Sequence, residues 1–208
     1  MDRDATFATI KGLRIALCDQ LDGLTDEQWE TPSLCDGWRV RDVLGHLVSL
    51  QAVPTWKFVV GTFGMRGFHR RTNRFARQFG ERDPAELIAL YREHADGRTA
   101  PPFVGPIAPL TDIATHALDI QRPLGLPGTT DDDSMRLVLH ALCRGLPGFV
   151  PKRRVEGLRF EATDLDWSIG DGFTVRGASP DLLLALLGRR VDDAALDGNG
   201  ASEFRRRR

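Results

Sequence analysis

Residues 33–50 read SLCDGWRVRDVLGHLVSL, and residues 109–122 read PLTDIATHALDIQR. In the first stretch Val40, Val43, Leu44, Leu47, Val48 and Leu50 recur at helical spacing. That spacing predicts a helix over about 39–53, which Pro54 ends or kinks. In the second, Asp112 and His116 are four residues apart on a predicted helix. Four residues turn a helix by about 400°, so both side chains leave one face, roughly 6 Å apart. Two ligands on one helix grip a single ion at this spacing. His46, on or beside the apolar stripe of its helix, offers a third ligand from a facing helix. Two imidazoles and one carboxylate suit zinc, and also nickel, iron(II) or manganese. Three protein ligands leave a coordination position open, the mark of a catalytic site. Spacing alone leaves a second reading in place: many helices carry such a pair by chance, and a lone histidine in an apolar stripe is commonly a core residue.

The flanking sequence is mostly helical. Ile10, Leu13, Leu17 and Leu21 make a stripe over residues 6–22, and Thr25 opens a short helical turn through Trp29. Pro32–Gly37 reads as a loop. Residues 55–82 pass from an apolar start (Trp56, Phe58, Val59, Val60) to a basic segment with Arg66, Arg70, Arg71, Arg74 and Arg77. Asp83-Pro84 is a capping residue followed by proline at the first helical position, and that helix ends near Gly97. A long connection over 98–109 contains Pro101, Pro102, Gly105, Pro106 and Pro109. Helices follow over about 109–122, stopped at Pro123-Leu124-Gly125, and from Asp131–Asp133 to near Gly145. After Val150 the pattern changes to alternation over 158–162 and 166–169. Gly170-Asp171-Gly172 reads as a hairpin turn into a strand at 173–176, and Ser179-Pro180-Asp181 starts a helix that Gly188 stops. The chain is therefore expected to be mainly α, with a helical domain over 1–150 and a small α+β domain over 151–208.

The composition sets limits. The 208 residues are 41% hydrophobic, enough for a buried core, with a net charge of −1 that names no nucleic-acid or membrane partner. Cys18, Cys35 and Cys143 form neither a CxxC pair nor an even disulfide framework, which fits a reducing cytoplasm. Residues 1–12 have no apolar core of a leader, and no apolar run is long enough to span a bilayer.

Three segments carry a family resemblance. Residues 24–29 (LTDEQW) with 32–47 (PSLCDGWRVRDVLGHL), residues 112–120 (DIATHALDI), and residues 163–172 (TDLDWSIGDG) through 186–189 (LLGR) resemble the mycothiol-dependent maleylpyruvate isomerase family. That family belongs to the DinB-like superfamily of four-helix bundles. The resemblance implies a DinB-like bundle followed by the family's small α+β C-terminal domain. It also implies a divalent metal, usually zinc, held by His46, Asp112 and His116. The family pattern has glutamate where this chain has Asp112. Members use the metal to bind a low-molecular-weight thiol such as mycothiol, whose thiolate adds to an electrophilic carbon. Addition, bond rotation and elimination isomerise the substrate; addition with displacement transfers sulfur.

The resemblance makes Arg189 the candidate catalytic cation for an anionic substrate, with capping of its helix as the competing role. Asp42, four residues before His46, is a candidate to orient that imidazole, or else a first-turn acid complementing the helix dipole. Asp119 sits three residues after His116, with Arg122 within reach as the other partner. Trp38 is expected to anchor the loop by packing, and Cys35 to be buried packing rather than a reactive thiol. His69, His94 and His140 are expected to stay outside the site. A small-molecule substrate and a thiol are the expected partners, without nucleic acid or membrane, and a homodimer is left open. Two rival readings remain: a metal-binding sensor or partner-binding protein of the same fold without turnover, and a nucleic-acid surface over Arg66–Arg77 and Arg205–Arg208. A solvated helix face accounts better for those arginines.

Overall fold

The computed structural model describes residues 2–54, 56–59, 64–101 and 104–207; Val60, Pro102 and Arg208, named above, lie outside the described residues. The helices begin with α1 (Arg3–Leu21), α2 (Asp26–Trp29), α3 (Val40–Ala52) and α4 (Trp56–Val59). They continue with α5 (Gly64–Gly80), α6 (Pro84–Glu93), α7 (Ile107–Leu124) and α8 (Asp132–Cys143). The C-terminal part runs α9 (Lys152–Val155), β1 (Leu158–Ala162), β2 (Ser168–Ile169), β3 (Phe173–Gly177) and α10 (Ser179–Leu186). A 3-10 turn (Asp193–Ala195), β4 (Leu196–Asp197) and α11 (Ala201–Arg206) follow. The chain is mainly α, a four-helix-bundle fold with a small α+β part.

Contacts group the chain into two compact units, residues 1–100 with 116–129 and residues 101–115 with 130–208. The division falls inside α7, which is one continuous helix. In the first unit the apolar stripes of α1 (Ile10, Leu17 and Leu21) and α3 (Val40, Val43, Leu44 and Val48) are buried as their spacing predicts, and so are Leu87 and Tyr91 of α6. Helix ends follow local chemistry. Thr25 and Gln28 form a reciprocal capping box on α2, and Asp83 accepts the N–H groups of Ala85 and Glu86 at the start of α6. The buried Arg14 donates to the carbonyls of Ala95 and Gly97 at 3.0 and 2.8 Å, satisfying groups beyond the end of α6. The basic segment is α5, whose Arg66, Arg70, Arg74 and Arg77 are exposed.

The approach of α3 to α5 depends on a missing side chain. A Cβ on Gly45 would sit 2.4 Å from the Ala76 carbonyl oxygen and 2.6 Å from the Gly80 nitrogen. Only glycine lets the two backbones come this close, and Gly45 immediately precedes His46.

The second unit holds a sheet of order β2-β1-β3-β4. Leu158, Phe160 and Ala162 alternate inward along β1, and Phe160 meets Phe204 of α11 edge-on with ring centroids 5.2 Å apart. The expected hairpin at Gly170-Asp171-Gly172 is not formed. Strand β2 pairs antiparallel with β1 on one side, and β3 pairs parallel with β1 on the other. The hairpin turn is instead the 163–167 loop between β1 and β2. Gly172 has φ +128, and a Cβ there would lie 2.2 Å from the Gly157 carbonyl oxygen. That glycine serves a close crossing past the start of β1, not a reversal. Two further differences stand out. Helix α7 continues through Pro123, whose effect is confined to the last turn. The segment after Gly188 carries β4 and α11, tied in by the buried Leu196 and Phe204.

Among the described residues no helix is long and apolar enough to cross a membrane.

Gly45→Ala should destabilise the protein by about 1–3 kcal/mol through overpacking, while Gly128→Ala, in open space, should stay within about 0.5 kcal/mol of wild type; urea unfolding of both variants checks this. Burial of Cys18 pushes its thiol from 9.0 up to about 11, against the lowering effect of Arg92. The folded chain keeps a proton that the unfolded chain releases between those values. Stability from this group is full below pH 9.0 and falls as pH rises through about 11. Cys18→Ala should flatten that alkaline slope in thermal unfolding measured across pH.

Candidate metal centre

Three elements build the site: the loop of residues 32–39, helix α3 and helix α7. The loop is closed by an isolated antiparallel bridge between Pro32 and Arg39. Inside it the Ser33 N–H donates to the Trp38 carbonyl at 2.9 Å, and the Trp38 N–H to the Cys35 carbonyl at 3.0 Å. The Leu34 N–H donates to the Asp119 carbonyl at 3.1 Å, which fastens the loop to α7.

His46 projects from the middle of α3 and His116 from α7; both are less than a tenth exposed, at 6% and 8%. Their rings meet edge-on with centroids 4.7 Å apart. Asp112 is half-buried, one turn before His116 on the same helix. One potential ligand atom from each of His46, Asp112 and His116 lies within 4.8 Å of the others. Ligand bonds of about 2.0–2.2 Å to a common ion would set such atoms about 3.3 Å or more apart. Two imidazoles and a carboxylate are a donor set that fits zinc and its neighbours in the first transition row.

Trp38 covers both histidines, with its ring 5.2 Å from His46 and 6.3 Å from His116, while its Nε1–H donates to Asn73 at 2.6 Å. The expectation of a loop anchor therefore understates it: this indole is a wall of the site.

Asp119 is fully buried, and its Oδ2 lies 2.9 Å from Nδ1 of His116. Residues three apart on a helix are neighbours. A carboxylate accepts only, so Nδ1 carries the proton and Nε2 keeps its lone pair. Cys35 is only half-buried, and its Sγ–H donates to the same Oδ2 at 3.0 Å, with Nδ1 of His116 3.8 Å away. It is not the buried packing residue expected from the sequence.

Asp42 does not serve His46. Its Oδ2 accepts the backbone N–H and the Nε of Arg39, each at 2.9 Å, and its Oδ1 accepts from Nη2 at 3.0 Å. It caps the start of α3, where an acid favours the helix dipole. Nη1 of Arg189 donates to the Leu187 carbonyl at 3.2 Å, at the end of α10. His69, His94 and His140 join no ligand cluster among the described residues. The HxxD spacing was a usable signal for Asp119. Cys35 and Trp38 gave none, because their contacts depend on how the loop folds back.

Residues 12–103 match the family model described as the mycothiol maleylpyruvate isomerase N-terminal domain. No curated protein matches the chain in sequence. Among solved structures, a mycothiol-dependent maleylpyruvate isomerase is similar over 97% of this chain and 94% of its own, at 14% identity and a TM-score of 0.60. A histidine-to-alanine mutant of a mycothiol-dependent maleylpyruvate isomerase is similar over the same shares, at 15% identity and a TM-score of 0.61. Residues 12–103 are thus similar to the mycothiol maleylpyruvate isomerase N-terminal domain family, and the chain as a whole has the fold of the mycothiol-dependent maleylpyruvate isomerase.

Proposed function

We propose that this chain binds a divalent metal ion through His46, Asp112 and His116 and is a thiol-dependent isomerase or S-transferase acting on a small electrophilic acid. The thiol is a low-molecular-weight cosubstrate of the mycothiol type. One observation carries the reading: two buried imidazoles and a half-buried carboxylate offer ligand atoms within 4.8 Å of one another. The mycothiol dependence printed for the similar structures supports the choice of cosubstrate. Zinc is the first choice of ion, with nickel, iron or manganese also accommodated by this donor set.

When bound, such an ion supplies the Lewis acidity that converts a thiol to its thiolate near neutral pH. The protein's own groups do the rest. Asp119 holds the proton on Nδ1 of His116 and so presents Nε2 as the ligating nitrogen. Trp38, against both rings, excludes water from one side. Arg189 is the proposed cation for the substrate's carboxylate; its bond to the Leu187 carbonyl is the competing structural use. Thiol chemistry of this kind suits a reducing cytoplasm.

A second reading is a metal-binding or sensor protein of this fold without turnover. The shorter acid at Asp112, where the resemblance implies glutamate, favours it.

Elemental analysis of the purified protein should find near-stoichiometric divalent metal. His116→Ala should lose it while the far-UV circular dichroism stays that of wild type. A wild-type protein with no metal after reconstitution with zinc would end the metal reading. With metal present, a maleyl-type acid and mycothiol should give cis–trans turnover that depends on the thiol, and Arg189→Ala should raise KM about tenfold or more by removing a charge-assisted contact. Bound metal without any affinity for the thiol would favour the second reading.

A further inference from the structure

We propose that Cys35 is a positioning residue: its thiol fixes the carboxylate of Asp119, and through it the tautomer and angle of the His116 ring. The relevance to metal binding rests on the reading of His46, Asp112 and His116 given above; the hydrogen-bond relay itself does not.

The relay runs through one oxygen. Oδ2 of Asp119 accepts Nδ1–H of His116 at 2.9 Å and Sγ–H of Cys35 at 3.0 Å. Asp119 is fully buried, so each donor replaces water that the carboxylate has lost. The loop is held to Asp119 twice, by the Leu34 N–H on its backbone carbonyl and by the Cys35 thiol on its side chain. Cys35 is itself fixed, since its N–H donates to Oγ of Ser33 at 3.1 Å and its carbonyl accepts from Trp38.

Cys35, His116 and Asp119 also form a second group whose potential ligand atoms lie within 4.8 Å of one another. Their separations argue against a second ion. Atoms bound to one tetrahedral ion with bonds of 2.0–2.3 Å stand about 3.3 Å or more apart. Here N···O is 2.9 Å and S···O is 3.0 Å, which are hydrogen-bond separations. The carboxylate oxygen lies where a shared proton donor needs it, and the sulfur acts as a donor rather than a ligand. Orientation of a ligating imidazole by a carboxylate typically matters 10–100-fold in metal affinity. A thiol acting one bond further out, as a weak donor, should matter less.

The test uses the full-length chain with its histidines labelled with nitrogen-15, first without metal and then with zinc. In the metal-free wild type, the ring shifts of His116 should report the single tautomer protonated at Nδ1. Cys35→Ala should mix the tautomers and weaken zinc about fivefold in chelator competition. Cys35→Val, which keeps the volume without the donor, should do the same and carries the test if the alanine variant does not fold. Cys35→Ser, which keeps a donor, should restore both readings to within about twofold of wild type. An unchanged His116 tautomer in Cys35→Ala and Cys35→Val would overturn the proposal. So would a sulfur-to-cadmium charge-transfer band in the wild type that Cys35→Ser loses, since that makes the thiol a ligand. A wild type that binds no zinc refutes the metal reading alone; the tautomer measurement still decides the relay.

Discussion

The pitch of one helix governs the site. Asp112, His116 and Asp119 occupy positions i, i+4 and i+7 of α7. Two turns of helix bring i+7 to within about 20° of i, so all three side chains share one face. His116 therefore stands between two carboxylates, one a turn before it and one a turn after. The later one is fully buried and engages Nδ1 at 2.9 Å. That single bond divides the ring into a proton-bearing side committed to Asp119 and a lone-pair side at Nε2. A helix register shifted by one residue would separate all three groups at once.

Burying two imidazoles and a carboxylate this close together costs free energy unless their polar atoms are matched. Around His116 and Asp119 the structure meets the requirement with local groups of different kinds. The carboxylate of Asp119 takes two donors, and its backbone carbonyl takes a third from Leu34. Trp38 sets an aromatic face against both imidazoles and turns its own N–H outward to Asn73. Gly45, next to His46, lets α5 come into backbone contact with α3. Rigid support of this kind is what a site needs when its ligand atoms must converge within fractions of an ångström.

Much of this was legible in the sequence. The apolar stripes of α1 and α3 have a period that only a helix satisfies, and Asp83-Pro84 and Asp131 mark the starts of α6 and α8 by capping chemistry that acts within four residues. Asp112 and His116 were legible for the same reason, since their spacing is local. The errors fall where the outcome depends on distant chain. Gly170-Asp171-Gly172 has the composition of a reversal, but β1 was free to take partners on both edges, and the pairing, not the turn, decided the order of strands. Asp42 looks like a partner for His46 on the helical net, yet Arg39 lies at the same capping end and offers its donors first. Cys35 has no periodic signal at all. Its role is created by a loop that folds onto a helix 84 residues further along the chain.

The aspartate at position 112 bears on what this geometry is for. A side chain shorter by one methylene reaches less far, so the helix that carries it must lie nearer to the ion than a glutamate would require. The two imidazole rings are already in edge contact at 4.7 Å, and the donor atoms of all three residues lie within 4.8 Å of one another, so the shorter reach is matched by a tight cluster. Aspartate also has one fewer rotatable bond to immobilise than glutamate, which lowers the entropic cost of holding it in place. The substitution thus need not weaken binding. On the proposed metal reading, a shorter, stiffer ligand at position 112 would leave a bound ion less freedom to shift. With His46, Asp112 and His116 as the proposed ligands, that restriction would bear on the choice of cosubstrate and substrate more than on the affinity for metal.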